Sequence, residues 1–453
     1  MNAQPFADIL RQPFSWVEEN DPLPVSADVV IIGAGVVGVS AALQLARRGL
    51  KVALLEKGLV AAEQSSRNWG WVRQQGRDRR ELPLIVHSLS LWDAWQQQLD
   101  TDLGFRRTGL LSLTRDPAVL ARWRRWAVNG RAAGIHVDEL DAAAAEAALP
   151  SVNGPWLGGL HTPDDARAEP GVAVPALARE ARRLGVTLHQ QTAVRRLLLE
   201  LGRVQGVETE HGIVRAPRVL LAGGAWSSLL LRQHGVVLPQ LNVRATVLRT
   251  TPAPEVVPGT LCSADVCLRR RLDGGYTVTL LEGEQHEVGP DSFRYLGRFT
   301  PLLLRNWRNI RLGLGWHSFQ QQRRWQQLPA AGVPTVFEQE RIYNPLPDPA
   351  ITSKALAHFR HGRPQLAGVE MAASWAGRID LTPDLVPVIS RVEALPGLVL
   401  AAGFSGHGFG IGPGAGQLAA DLLCDTTPVV DAHPFRLSRF SDGSSLFIDP
   451  DVI

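Results

Sequence analysis

Four unbroken apolar runs punctuate the chain, at 29–32, 52–55, 219–222 and 398–402. Runs of this kind are the pattern of parallel strands buried on both faces. A helix is expected between the first two, over 39–48, with Gly49 ending it. Elsewhere the period changes. Leu84, Ile85, Leu89, Leu91, Trp92, Trp95 and Leu99 recur at helical spacing and predict an amphipathic helix over 82–99. Further helices are expected over 118–133, 138–148 and 171–184, with another at 417–424 that Pro413 introduces. A strand is expected at 105–113. Short alternating segments at 186–191, 193–200, 204–210 and 212–216, with turns at Gly202 and Gly212, predict a β-meander, and 240–374 is β-rich at 243–250, 265–271 and 276–281.

These elements define an α/β fold. A Rossmann-like dinucleotide domain with a β-meander is interrupted by a second, α+β domain with an antiparallel sheet. The expected division is an N-terminal arm over 1–26, a discontinuous nucleotide domain over 27–80, 150–240 and 375–430, a substrate domain over 81–149 and 241–374, and a tail over 431–453.

Composition narrows the picture. The 453 residues are 45% hydrophobic and 20% charged, ordinary for a soluble globular enzyme. No apolar run is long enough to span a bilayer, and residues 1–26 lack the basic and apolar regions of a signal peptide. Cys262, Cys267 and Cys424 suit neither a disulfide framework nor a zinc site, so no metal is expected and a cytoplasmic location is the simplest. The net charge of +3 is small, which argues against a nucleic-acid partner. One stretch, 293–324, gathers Arg294, Arg298, Arg305, Arg308, Arg311, Arg323 and Arg324 among Trp, Leu and Phe. It reads either as a peripheral contact with an anionic membrane or as a helix with a solvated basic face, and the second reading is favoured.

The candidate chemistry begins at Gly33, Gly35 and Gly38, a G-x-G-x-x-G between strand and helix. Its glycines permit a tight turn, close approach of a pyrophosphate and close helix packing, and the helix amides face the phosphates. Glu56 ends the second strand and suits a ribose with a free 2′-OH. Two further motifs follow strands: VLLAGGAW at 219–226 and GFSGHGFGIGPGAG at 403–416.

Together with SSRN at 65–68, these motifs resemble the D-amino-acid oxidase family of FAD enzymes, which includes glycine oxidase, sarcosine oxidase and bacterial D-amino-acid dehydrogenases. The resemblance runs from Asp28 to Cys424. It implies that Gly33, Gly35, Val37 and Gly38 meet the pyrophosphate, and that Glu56 and Lys57 lie at the adenosine ribose. Ser65, Ser66 and Arg67 would serve the pyrophosphate and ribityl regions, with Asn68, Trp69 and Gly70 beside the isoalloxazine ring. Val194 would meet the adenine, and Gly223, Gly224 and Trp226 would close over the cofactor. Gly403, Phe404, Gly406, His407, Gly408 and Gly410 would present backbone to the flavin. Sarcosine-oxidase relatives attach flavin through a cysteine before the last strand. Residues 375–398 contain none, so non-covalent FAD is expected.

The implied reaction is oxidation of the C–N bond of a small amino or imino acid by hydride transfer to flavin N5, giving an imine that hydrolyses to the 2-oxo acid. D-amino acids lead, and secondary amines of sarcosine, proline or polyamine type follow. An RNA-linked role and a non-catalytic assembly role are the remaining alternatives. Dioxygen, quinone or another electron carrier would reoxidise the flavin. No protein base is obligatory, and His407 is the one catalytic candidate. A carboxylate clamp is expected because arginine binds carboxylate bidentately. Its candidates are Arg73, Arg269, Arg271 and Arg378, with Tyr276 beside them.

Overall fold

The structure, a computed structural model, describes residues 14–18, 20–306, 310–327 and 333–452. Most of the expected N-terminal arm, together with Arg308, lies outside the described residues.

A six-stranded sheet carries the nucleotide domain. Its order is Val388–Arg391, Leu398–Ala402, Val219–Leu221, Val29–Ile32, Val52–Leu55 and Thr187–His189. All neighbours are parallel except the first pair. The four apolar runs are therefore its central strands, and Val30, Ile31, Leu220 and Leu400 are fully buried. The segment expected to open the meander instead supplies the sixth strand, with His189 in register with Leu55. The meander proper is Val194–Glu200, Arg203–Thr209 and Gly212–Arg215.

Two helices cover one face, Val36–Arg47 and Gly408–Leu423. Glycines bring them into backbone-level contact: a Cβ on Gly412 would lie 2.7 Å from Val36 Cγ2, and one on Gly416 would lie 2.5 Å from Ser40 Cβ. The second helix thus starts nine residues earlier than the sequence reading placed it, and Pro413 lies inside it. Its glycine run is a packing face as well as a loop.

The second domain is built on a ten-stranded sheet that is mainly antiparallel, with two parallel pairings, 260–263 with 110–114 and 284–287 with 310–313. Several expectations change here. Asp138–Leu140 is a strand of this sheet, and only Ala142–Ala148 is helical. The 105–113 segment divides into Arg106–Arg107 and Leu110–Thr114, which join different sheets. Gly158–Thr162 pairs with Leu110–Thr114, so the expected domain boundary at residue 150 falls too early. The boundary at 375 also cuts an element, the strand Met371–Leu381. That strand pairs with Leu241–Thr250, placing Asn242 opposite Asp380 and Arg244 opposite Arg378. Among the described residues, no helix is long and apolar enough to cross a membrane.

Candidate functional site

The ends of the parallel strands open onto a cavity of about 1250 Å³ including its mouth. Gly33, Gly35 and Val37 form its floor, with Glu56, Lys57, Ser65, Asn68 and Val194 along one wall. Gly223, Gly224, Trp226, Phe404, Gly406 and Gly408 form the other. Both helices of the covered face begin here, at Gly35 and His407; neither N-cap residue caps its own helix, and Ser65 Oγ accepts from the Val36 amide at 2.9 Å. Their first-turn amides and positive dipole ends suit anionic groups. The carbon frame leaves little slack. A Cβ on Gly38 would sit 1.9 Å from the Gly33 carbonyl oxygen, and Gly33 itself has φ +103°.

The polar wall is held from behind. Glu56 accepts from the amides of Ala34 at 2.8 Å and Gly58 at 2.7 Å. Burial pushes its carboxyl upward, against the nearby Lys57 charge. Glu63, not foreseen from the sequence, accepts from Lys57 Nζ at 2.8 Å, Trp226 Nε1 at 2.9 Å and the Tyr343 amide at 3.1 Å. Asp380, also unforeseen, accepts from Gln240 Nε2 at 3.0 Å and the Gly403 amide at 2.7 Å. Gln64 Oε1, on a residue of the cavity wall, is buried with no hydrogen-bond partner. An extended dinucleotide whose diphosphate meets one helix start and whose ring end meets the other fits this donor set.

Eight residues named from the sequence stand behind the cavity wall. Gly38 packs the helix onto the strand. Arg67 is buried, donating to the carbonyls of Ala62, Tyr343 and Ala376 at 3.0, 3.0 and 3.2 Å. Ser66 is buried, Gly70 donates to Asn68 Oδ1 at 2.8 Å, and Trp69 offers its carbonyl to Arg269 Nε at 2.5 Å. Gly403 holds Asp380, and Gly410 accepts from Trp92 Nε1 at 3.1 Å. His407 is buried against Glu81, with 2.9 Å between Nδ1 and Oε2. Burial lowers its pKa and Glu81 opposes that.

The clamp candidates separate sharply. Arg269 Nη1 meets Glu169 Oε1 at 2.8 Å, and Arg271 lies between Glu169 and Asp273. Alternation does put both on one face, but that face holds Glu169, whose carboxyl is held down at about 2 against the cost of its burial by the two guanidinium charges. Tyr276 is a core residue, its hydroxyl donating to the Val257 carbonyl at 3.1 Å. Arg73 turns back on the Gln75 carbonyl.

Arg378 differs. It lines a second cavity of about 1120 Å³ including its mouth, which shares Ala225 with the first. Trp226, Trp325 and Tyr343 surround its guanidinium at 5.2, 5.0 and 5.4 Å. Its Nη1 is shielded from solvent and has no hydrogen-bond partner among the described residues, and Asn242 Oδ1, on another lining residue, is equally unpartnered. A buried donor and a buried acceptor left open on the lining of one cavity are costly unless a ligand completes them.

The segment 335–346 reaches both cavities, Phe337 lining the first and Tyr343, Pro345 and Leu346 the second. Glu338 anchors it to Arg195 at 2.9 Å, and Arg341 pairs with Glu210 on the meander at 2.5 Å.

The family described as DAO: FAD dependent oxidoreductase matches residues 28–422. A glycine oxidase from Pseudomonas aeruginosa is 27% identical over 425 residues, covering 91% of this chain and 98% of that relative. A 4-methylaminobutanoate oxidase (formaldehyde-forming) from Paenarthrobacter nicotinovorans is 27% identical over 448 residues. That match covers 93% of this chain and 46% of the relative, so the chain spans less than half of its length. The solved structure of an L-amino acid deaminase from Proteus myxofaciens, in complex with anthranilate, matches with a TM-score of 0.90 and 28% identity, covering 95% of this chain and 97% of that one.

Proposed function

Because the chain belongs to the DAO family of FAD-dependent oxidoreductases, we propose that it oxidises the C–N bond of a small α-amino acid, bound by its carboxylate to Arg378. The observation that carries this reading is the shielded, unpartnered Nη1 of Arg378 beside the cofactor cavity. Bound FAD supplies the two-electron acceptor. The chain's own work is to bind and orient. Arg378 takes the carboxylate, and its aromatic surround keeps water away from that ion pair. Asn242 Oδ1 accepts from the amine. Asn242 stands opposite Asp380, and Asp380 lines the cofactor cavity, which supports an amine end turned toward the cofactor with the carboxylate end two residues further along the strand. His407 takes no part in proton transfer.

The similarity to the L-amino acid deaminase extends over nearly the whole chain and supports the L configuration. The D configuration expected from the sequence finds no support in these relatives. A peripheral membrane contact belongs to the same proposal. Residues 292–327 carry arginines and no acidic residue. Phe293 is 65% exposed, Leu314 85% and Trp316 71%. Such a face suits an anionic bilayer, from which a quinone would draw the electrons.

Anaerobic titration of the holoenzyme with L-, D- and N-methyl amino acids tests the reading. Bleaching of the flavin absorbance by an L-amino acid, lost in Arg378→Met with FAD still bound, supports it. Bleaching only by N-methyl compounds turns the reading to secondary amines. Equal bleaching in Arg378→Met removes the clamp.

A further inference from the structure

We propose that the second cavity selects an amino acid whose side chain is uncharged and hydrogen-bonding, a carboxamide or hydroxyl, over aliphatic and aromatic ones. This rests on the reading of Arg378 as the carboxylate clamp. Beyond that arginine, the cavity is lined by a polar stripe from the helix Trp316–Trp325. Ser318, Gln321 and Gln322 point into it at spacings of three and four residues, and Gln326 follows at the helix end. The side chains of Ser318, Gln321 and Gln326 make no hydrogen bonds to other described residues. They are open donors and acceptors in a partly enclosed space.

The charges nearby are already spent. Asp291 accepts from Arg232 at 2.9 Å and from Arg294 at 2.6 Å. Arg244 donates to Gln285 Oε1 and to the Leu346 carbonyl, and Glu287 accepts from Gln285 Nε2 at 2.7 Å. Asp291 is neutralised by its arginines, and Arg244 and Glu287, one of each sign, both bond the neutral Gln285, so beside these opposed charges the wall offers a substrate side chain amides and hydroxyls. An aliphatic side chain seated here strips water from these groups without replacing their hydrogen bonds, and gains apolar contact only where Leu229, Leu241, Trp325, Pro345 and Leu346 complete the lining. A carboxamide replaces the lost hydrogen bonds. Sites lined by hydrogen-bonding groups reject analogues that lack the matching group far more strongly than apolar pockets reject size variants.

The test compares a carboxamide with an aliphatic side chain on the holoenzyme. Steady-state kcat/KM is measured for L-glutamine against L-leucine. Independently of turnover, the shift of the bound flavin spectrum is titrated with their non-reacting deamino analogues, glutaramate and 4-methylpentanoate. The expected result is a preference of at least ~10-fold for the amide in both measurements. Gln321→Leu combined with Gln326→Leu should move that ratio at least ~10-fold toward leucine, with the change residing in KM. Equal or better handling of leucine and 4-methylpentanoate by the natural chain overturns the proposal while leaving amino-acid oxidation intact. If neither analogue perturbs the flavin and no amino acid reduces it, the clamp reading falls and takes this proposal with it.

Discussion

Glu81 and His407 are joined by a 2.9 Å hydrogen bond between Oε2 and Nδ1 where the start of the helix Leu82–Gln98 passes the start of the C-terminal helix. Glu81 is fully buried and His407 nearly so, and Arg77 Nη2 donates to the His407 carbonyl at 3.4 Å. Burial lowers the Arg77 pKa to about 9. The histidine that the motif GFSGHGFG marks for chemistry is thus a fastening between two segments. Glu81→Gln is expected to destabilise the fold by about 3–5 kcal/mol, because Arg77 loses its nearest carboxylate. Thermal unfolding checks this, and an unchanged melting temperature would make the contact incidental.

Arg269 and Arg378 invite a direct comparison. Arg269→Met leaves Glu169 buried without its closest cation, so the expected outcome is a stability loss of about 3–5 kcal/mol. Arg378→Met removes a charge that, among the described residues, no acid meets at ion-pair distance, although Glu63, Asp380 and Asp291 act on it from further off. It should preserve or raise the melting temperature while lowering kcat/KM by roughly 100-fold or more. Denaturant melts and kinetics on the two variants separate the roles.

His234 gives a pH dependence with a definite sign. Its Nε2 accepts from the Leu197 amide at 3.1 Å, a bond that only the neutral ring can make. Burial lowers its pKa below the ordinary 6.5. The unfolded chain therefore takes up the proton first, so this contribution is complete above about pH 6.5 and is lost as the pH falls toward the folded pKa. Relative to His234→Gln, the natural chain should lose stability between pH 7.5 and 5.5. Parallel stability curves would contradict this.

FAD is expected to leave with acid precipitation. Cys424 is in the turn after the final helix, and Cys262 and Cys267 pack with Leu110 against Trp69 and Trp71, so no cysteine lines the cofactor cavity. Yellow colour in the pellet would mean a covalent bond to another side chain.

Much of the nucleotide half is legible in the sequence because its determinants are local. Gly33 and Gly38 contact each other within one turn, and the apolar runs need no distant partner to be recognised as buried strands. The substrate half is not local. Strand alternation correctly sets Arg269 and Arg271 on one face, yet the acid that consumes them, Glu169, is 100 residues from Arg269. Arg378 looks no different in sequence, and what distinguishes it is that no acid among the described residues pairs with it directly. Phe337 and Glu63 carry no motif. Phe337 reaches the cofactor cavity through a segment whose anchors, Arg195 and Glu210, belong to the meander, and Glu63 meets that segment at the Tyr343 amide.

Arg378 and Asp380 sit on a single strand, one in each cavity. Two residues of extended backbone span about 6–7 Å. The offset between the carboxylate anchor and the cofactor's berth is accordingly a covalent constant, set by chain pitch and clamped along Leu241–Thr250. Divergence toward new substrates can leave that ruler untouched and act through the pieces that merely lean over it, the helix Trp316–Trp325 and the segment 335–346. In the proposed reading, the carboxylate anchor and the side chains that select the substrate therefore stand on separate elements.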